Sequence, residues 1–155
     1  LRALWAMHLS QPLTMRDAQP FLGHPDAWVR AWTLQLLGEL IPAMPAERWE
    51  AEGAAGALSG LAGIAREDSS PVVRRFVASL IQRVPAKKRH EVLTALLGHA
   101  EDAADHQLPL LYWYATEGTI AEDPDSAVDL LKACRIPKVR EFIARRLAAL
   151  TVASK

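Results

Sequence analysis

The sequence has one cysteine, few aromatic residues, no excess of either charge and no long hydrophobic run. Cys134 can neither form an internal disulfide nor build a thiolate metal site by itself, and its apolar neighbours Leu131 and Ile136 favour a small core residue. Because Lys plus Arg and Asp plus Glu both number 18, the chain lacks the overall positive field of a non-specific nucleic-acid binder. Apolar runs far shorter than the roughly 20 residues that cross a bilayer predict no direct membrane insertion.

Apolar residues make up half of the 155 positions, and Ala and Leu dominate them. This content supports one continuous core, while Val and Ile are too scattered for a large sheet. We therefore predict a single all-α domain over residues 1–150, followed by a frayed tail at 151–155. The chain starts at Leu1 inside an amphipathic pattern and without Met, so we expect it to be a segment of a larger protein.

A short pattern recurs along the chain: an apolar residue, usually followed by Arg, and a large apolar residue three positions after the first. The second residue of the pattern falls at positions 2, 30, 74, 112 and 140, which are 28, 44, 38 and 28 residues apart. Such intervals fit helix-pair repeats with loops of variable length, and the offsets of three and eight place one inward apolar face on each helix. The residues three positions on are Leu4, Trp32, Phe76, Tyr114 and Phe142, and those eight positions on are Leu9, Leu37, Ile81, Thr119 and Leu147.

Prolines mark the predicted starts of helices, as in Ser70-Pro71 and Asp123-Pro124, where a capping residue precedes Pro at the first helical position. The pattern predicts a right-handed α-α superhelix of about four helix pairs, a HEAT/armadillo-like solenoid. After a truncated first repeat at 1–9, the predicted helices span 14–23, 26–41, 46–66, 71–83, 86–99, 106–120, 124–134 and 137–150.

Four glycines, Gly53, Gly56, Gly60 and Gly63, fall roughly on one face of the predicted 46–66 helix. Each costs about 1 kcal/mol relative to Ala in a helix. We interpret them as a site of close packing against a neighbouring helix. The alternative is a weak helix that opens when a partner docks.

Three stretches go beyond generic helical repeats: HPDAWVRAW at 24–32, HAED to LPLLYWY at 99–114, and IPKVREFIARR at 136–146. In their order and spacing they resemble the helical-repeat region of the PVC-type haem-binding proteins, also described as membrane-bound dehydrogenases of planctomycetes and their relatives. The resemblance covers about residues 1–149.

The resemblance implies a secreted or periplasmic parent protein, with a β-propeller before the helical repeats and a c-type cytochrome domain after them. This chain lacks the Cys-x-x-Cys-His haem motif and any propeller-like sequence, so neither haem attachment nor dehydrogenase chemistry carries over to it. What the resemblance implies for this segment is a scaffold between the two domains, without a cofactor of its own.

The loop around residue 100 is the best candidate for a metal site. Two imidazoles and three carboxylates within eight residues offer ligands for a divalent ion, although the spacing matches no established motif. The favoured interpretation is a solvated loop between helices, with Asp105 capping the following helix. The candidate ligands are His99, Glu101, Asp102, Asp105 and His106.

Arginines and aromatic residues of the repeats form the candidate interaction surface. In stacked repeats the arginines are expected to align as a ladder that pairs with acidic groups such as Asp26, Asp68 or Glu141; gripping an acidic partner is the alternative. Trp28 is a natural anchor for a docked domain if it is exposed, whereas core packing is favoured for most other aromatics. The surface comprises Trp28, Arg30, Arg74, Tyr112, Trp113 and Arg140.

These features predict a non-catalytic interaction module, which holds a partner protein or neighbouring domains of the same chain at a fixed geometry. The alternative is a nucleic-acid-binding, lyase or glycosylase type of helical-repeat protein. A glycosylase would need a strongly basic surface, and the neutral net charge argues against one. Locally basic groups at 87–90 and 135–146, and acidic ones at 117–129, are typical of solvated helix faces that can also steer docking.

Overall fold

The computed structural model describes residues 1–41, Glu47, Trp49 and 52–153. The regular structure of this described part is entirely helical, which confirms the predicted all-α class. The predicted 46–66 helix begins among residues outside the described part, so only its portion from Glu52 onward is observed. None of the described helices is both long and apolar enough to cross a membrane.

Nine α-helices occupy the described residues, close to the predicted spans. Short 3₁₀ turns at Ala86–Lys88 and Ala100–Ala104 stand before the sixth and seventh helices, so the predicted 86–99 helix is shorter than expected. The last helix runs to Ala153, three residues beyond its predicted end. The helices are α1 Arg2–Ser10, α2 Met15–Leu22, α3 Ala27–Gly38, α4 Glu52–Glu67, α5 Pro71–Ile81, α6 His90–Leu97, α7 Leu108–Glu122, α8 Pro124–Ala133 and α9 Pro137–Ala153.

Capping side chains fix where helices begin. Asp26 accepts a hydrogen bond from the Trp28 amide at 2.8 Å, and Asp123 accepts one from the Ser126 amide at 3.3 Å. These bonds satisfy amides that have no partner inside the helix. Proline occupies the first position of α5, α8 and α9, where its missing N–H costs nothing.

The helices pack in two rows. α1, α3, α5, α7 and α9 follow one another in the first row, and α4, α6 and α8 in the second. A continuous apolar core fills the space between the rows from α3 to α9; its fully buried side chains include Leu34, Ile81, Leu93, Ile120 and Ile143. Cys134 is buried in this core, as predicted.

Aromatic rings connect successive helices of the first row. The ring centroids of Trp5 and Trp32 lie 5.0 Å apart, and those of Trp32 and Phe76 lie 6.0 Å apart. On α7, however, Trp113 contacts Phe142 at 5.3 Å. The predicted core position of Tyr114 is wrong, since its side chain is 55% exposed. One residue is about 100° of helix rotation, so turning Trp113 towards α9 turns Tyr114 away.

The inward position predicted for Leu9 is also wrong. Leu9 lies at the end of α1 and is 86% exposed, whereas Leu4 on the same helix is buried. α1 has a neighbour in the first row only on its α3 side among the described residues, so the turn of helix that carries Leu9 has nothing to pack against.

Among the described residues, the glycine face of α4 packs against no other helix, contrary to the favoured interpretation. A Cβ atom added at Gly53, Gly56, Gly60 or Gly63 would meet nothing within 4 Å. The first three border a groove of about 950 Å³ that also touches α2, α3 and α5. These glycines therefore lower the stability of α4 without improving its packing in the described structure.

Replacing Gly56 or Gly60 by Ala should raise the free energy of unfolding by roughly 0.5–1 kcal/mol each, because Ala favours helix and has free space there. Urea denaturation of the full chain measures this. The control is Gly38→Ala, whose new Cβ would lie 3.3 Å from Arg83 Nη1 and 3.5 Å from Leu80 Cγ, and which should gain less or lose stability. Destabilisation by Gly60→Ala would show that this face is covered.

Candidate functional site

A guanidinium near the start of α3 joins the first helix pair to the second. Arg30 Nε donates to Asp68 Oδ2 at 2.7 Å, and Nη2 donates to Asp68 Oδ1 at 2.9 Å. Asp68 lies in the loop between α4 and α5, 38 residues further along the chain. Two parallel charge-assisted bonds of this kind fix both distance and orientation. Arg30 thus pairs with Asp68, one of the acidic residues that the sequence offered as partners for the arginines.

The same arrangement recurs one pair later, where it is buried. Arg74 on α5 is only 2% exposed; its Nε donates to Asp102 Oδ2 at 2.7 Å and its Nη2 to Oδ1 at 2.5 Å. The Tyr112 hydroxyl on α7 donates to the same carboxylate at 2.6 Å. Asp102 therefore connects α5, α7 and the turn between α6 and α7.

Each arginine also bonds the loop that precedes its own helix. Nη1 of Arg30 donates to the His24 carbonyl at 2.7 Å, and Nη1 of Arg74 donates to the Asp68 carbonyl at 2.9 Å. In both cases the acceptor is six residues before the arginine. The resulting polar chain, which we call the arginine ladder, consists of Arg30, Asp68, Arg74, Asp102 and Tyr112.

Arg140 on α9 repeats half of this pattern. Its Nη1 donates to the carbonyl of Cys134, again six residues earlier, at 3.2 Å. Arg140 is the fourth residue of α9, as Arg30 is of α3 and Arg74 of α5. No described residue, however, bonds its Nε or Nη2, and Arg140 is exposed.

Burial and pairing act in opposite directions on the charges of the ladder. Burial raises the pKa of Asp68, but the hydrogen bonds from Arg30 and the Ser70 amide outweigh it and leave that pKa below its ordinary value. Burial lowers the pKa of Arg74, and the bond to Asp102 more than restores it. Burial and the bond to Asp102 raise the pKa of Tyr112. Asp68, Arg74 and Tyr112 thus hold their ordinary charge at neutral pH.

Arg74 and Tyr112 were predicted to belong to an exposed interaction surface, and this is wrong. Both side chains are buried, Tyr112 completely, because Asp102 draws them inward. Arg74 was also expected to pair with one of three other acids; the loop that supplies Asp102 comes 28 residues later, a contact that no local pattern indicates.

The five candidate metal ligands around residue 100 do not come together as one site. Within the described ranges, no group of three or more His, Cys, Asp or Glu side chains could hold a metal ion. Nitrogen atoms of His99 lie 2.7 Å from Glu101 Oε1 and 2.8 Å from the Ala65 carbonyl oxygen, so His99 links this loop to α4. His106 is exposed.

Asp105 caps α7, as predicted. Its Oδ1 accepts hydrogen bonds from the Gln107 amide at 2.7 Å and the Leu108 amide at 2.9 Å. These bonds, that of Leu108 first, hold the pKa of Asp105 below its ordinary value. The role of Asp105 in this geometry is to start a helix.

Arg89 is a structural residue that sequence reasoning missed, since it lay in a basic group interpreted as a solvated face. It donates to the carbonyls of Val84 at 2.7 Å, Gln82 at 2.8 Å and Ala115 at 3.2 Å. Burial lowers its pKa. Arg89 thereby ties the end of α5 to α7, and only its position between two helices reveals this.

Three aromatic side chains of the first row are exposed, and the one on α1, Trp5, is the least exposed of them at 36%. Trp28 on α3 is 48% exposed, as an anchor residue should be, and Tyr114 on α7 is more than half exposed. Trp113, part of the predicted surface, is partly buried against Phe142. Of the predicted surface residues, Trp28 and Arg140 are thus exposed, while Arg30 and Trp113 are intermediate.

No known protein family, curated protein or solved structure matches the chain.

Asp102→Asn should lower the free energy of unfolding by about 3–5 kcal/mol, because it removes the buried carboxylate charge that Arg74 hydrogen-bonds and leaves only the exposed Glu101 near the guanidinium. Tyr112→Phe should cost about 1.5–3 kcal/mol, since it removes one hydrogen bond to a charged group. Both are measured by urea denaturation. Glu117→Gln on α7 is the control, because Glu117 is exposed. Equal costs for Asp102→Asn and Glu117→Gln would contradict a stabilising ladder.

Stability should fall as the solution is acidified below about pH 4, the ordinary range for Asp. Asp68 and Asp105 have depressed pKa values in the folded chain, so the unfolded chain binds more protons in that range. Their contribution is fully present above the unfolded pKa and lost as the pH falls through the folded pKa. Asp105→Asn should flatten the decline measured by denaturation at several pH values, and the exposed Asp125→Asn should not. Identical acid profiles for the two variants would argue against this assignment.

Proposed function

We propose that the chain is a HEAT-like helical-repeat scaffold that binds proteins or neighbouring domains and catalyses no reaction. The observation that carries this proposal is the arginine ladder, in which one helix pair bonds the loop of the next. Repeated contacts between neighbours are the way in which solenoids complete a core that no single helix pair can close. The two rows of helices support the same interpretation.

The binding face we propose is the outward face of the row α3, α5, α7 and α9. Exposed Trp28 and Tyr114 lie on this row, and the arginine ladder beneath holds its helices at fixed positions. Large aromatic residues on a rigid support are typical of interface hot spots, because their burial releases much water at little entropic cost.

The likeness to PVC-type haem-binding proteins extends the proposal to the parent protein. In that setting the segment would hold a dehydrogenase-like propeller and a cytochrome c domain at a fixed separation, in a periplasmic or secreted protein. A nucleic-acid-binding or glycosylase function receives less support, since Arg30 and Arg74 already engage carboxylates and the net charge is zero.

Site-specific photo-cross-linking tests the proposed face. A benzophenone amino acid is placed at Trp28, or at Val128 on α8 as a control of nearly equal exposure in the other row. After cross-linking in extracts of the source organism, we expect the position-28 probe to capture a defined polypeptide that the position-128 probe does not capture.

The captured polypeptide is then purified and titrated against variants of the full chain. Trp28→Ala should weaken its binding at least about tenfold, as expected for a hot spot, while Val128→Ala should leave it unchanged. Equal capture at both positions, or equal binding of both variants, would refute the proposed face.

A further inference from the structure

Arg140 occupies the same helix position as the two ladder arginines and, like them, bonds a carbonyl of its own loop. Unlike them, it has no aspartate bound to its guanidinium among the described residues. Nη1 of Arg30, Arg74 and Arg140 each donates to a carbonyl six residues earlier. This bond leaves Nε and Nη2 as a planar fork that points away from the arginine's own loop. In the first two cases the fork holds an aspartate of the next helix pair, whereas at Arg140 no described residue occupies it.

We infer that the α9 end of the helix rows binds a partner protein through an aspartate that enters the Arg140 fork. Because both occupied forks hold an Asp from a loop between two helices, the partner that fits is a helical hairpin with an Asp in its connecting loop. The inference rests on the proposed scaffold function and adds to it the site and the chemistry of one partner.

The charges around Arg140 favour an acidic partner. Arg135 and Lys138, which lie within five residues of it in the sequence, are exposed, and within the described residues Arg145 pairs with Glu141 of the same helix. Cationic side chains around a site that binds a carboxylate raise the rate of encounter with an acidic loop and disfavour a basic loop.

A second copy of this chain stacked end to end does not fit the site. Asp68, which occupies the fork of Arg30, stands six positions before the next arginine, Arg74. The residue six positions before Arg30 itself is His24. The first loop of another copy would therefore bring an imidazole to the Arg140 fork, since the carboxylate of that loop, Asp26, already caps α3. The occupant that fits is therefore not a second copy of this chain.

NMR of the ¹⁵N-labelled arginine Nε–H groups in the full chain tests the vacant fork. The Nε protons of Arg30 and Arg74 should exchange slowly with water, because each is held by a carboxylate, and that of Arg140 should exchange rapidly. An Arg140 proton protected as strongly as that of Arg30 would show that the fork is occupied and would overturn the inference.

Titration with a capped peptide of residues 67–71, Glu-Asp-Ser-Ser-Pro, tests the ligand. We expect millimolar binding that shifts the Nε signal of Arg140 and leaves that of Arg145 in place. Replacing the aspartate of the peptide by Asn should weaken binding at least about tenfold, and Arg140→Gln should abolish it while Arg145→Gln does not.

Several results would overturn the inference: no shift at Arg140, equal shifts at Arg140 and Arg145, or an equal shift with inorganic phosphate, which would indicate a general anion site. None of these depends on the Trp28 face. A failure here is therefore distinguishable from a failure of the proposed scaffold function.

Discussion

The fold depends on one repeated interaction, a guanidinium that grips its own loop with one nitrogen and the aspartate of the next loop with two others. Arg30 makes this contact to Asp68, and Arg74 makes it to Asp102. Helix propensity sets the individual helices and the apolar core holds them together, while this contact fixes how α3 sits on α5 and how α5 sits on α7. A buried charge pair is sensitive to loss of either partner, so it specifies spacing as well as contributing stability.

The sequence predicted the helices well because their signals are local. Helix starts are marked by residues within the first helical turn or just before it, namely Asp26 as a cap and Pro71, Pro124 and Pro137 as first residues. It also identified the arginines as a ladder, because their spacing repeats. The aspartate partner of Arg74 stayed hidden, since that contact spans 28 residues and depends on the path of a turn.

The remaining wrong predictions concern which way a side chain faces, and not whether its segment is helical. Trp113 and Tyr114 are adjacent, and which of them faces α9 depends on a rotation of one residue that packing decides. The glycines of α4 suggested tight packing, yet small residues are equally compatible with the open groove that Gly56 and Gly60 border. The residue types alone cannot distinguish a tightly packed face from an open groove, because glycine is compatible with both.

Among the described helices, α9 carries an arginine in the ladder position whose carboxylate site is unused, and for this reason the ladder connects the fold with the proposed binding at α9. The central claim is that the two hydrogen bonds from Nε and Nη2 of a ladder arginine to an aspartate couple neighbouring helix pairs. A double-mutant cycle between Arg30→Gln and Asp68→Asn, measured by urea denaturation, tests it most directly. We expect a coupling energy of about 1–3 kcal/mol between residues 38 positions apart. Additive losses would contradict the account.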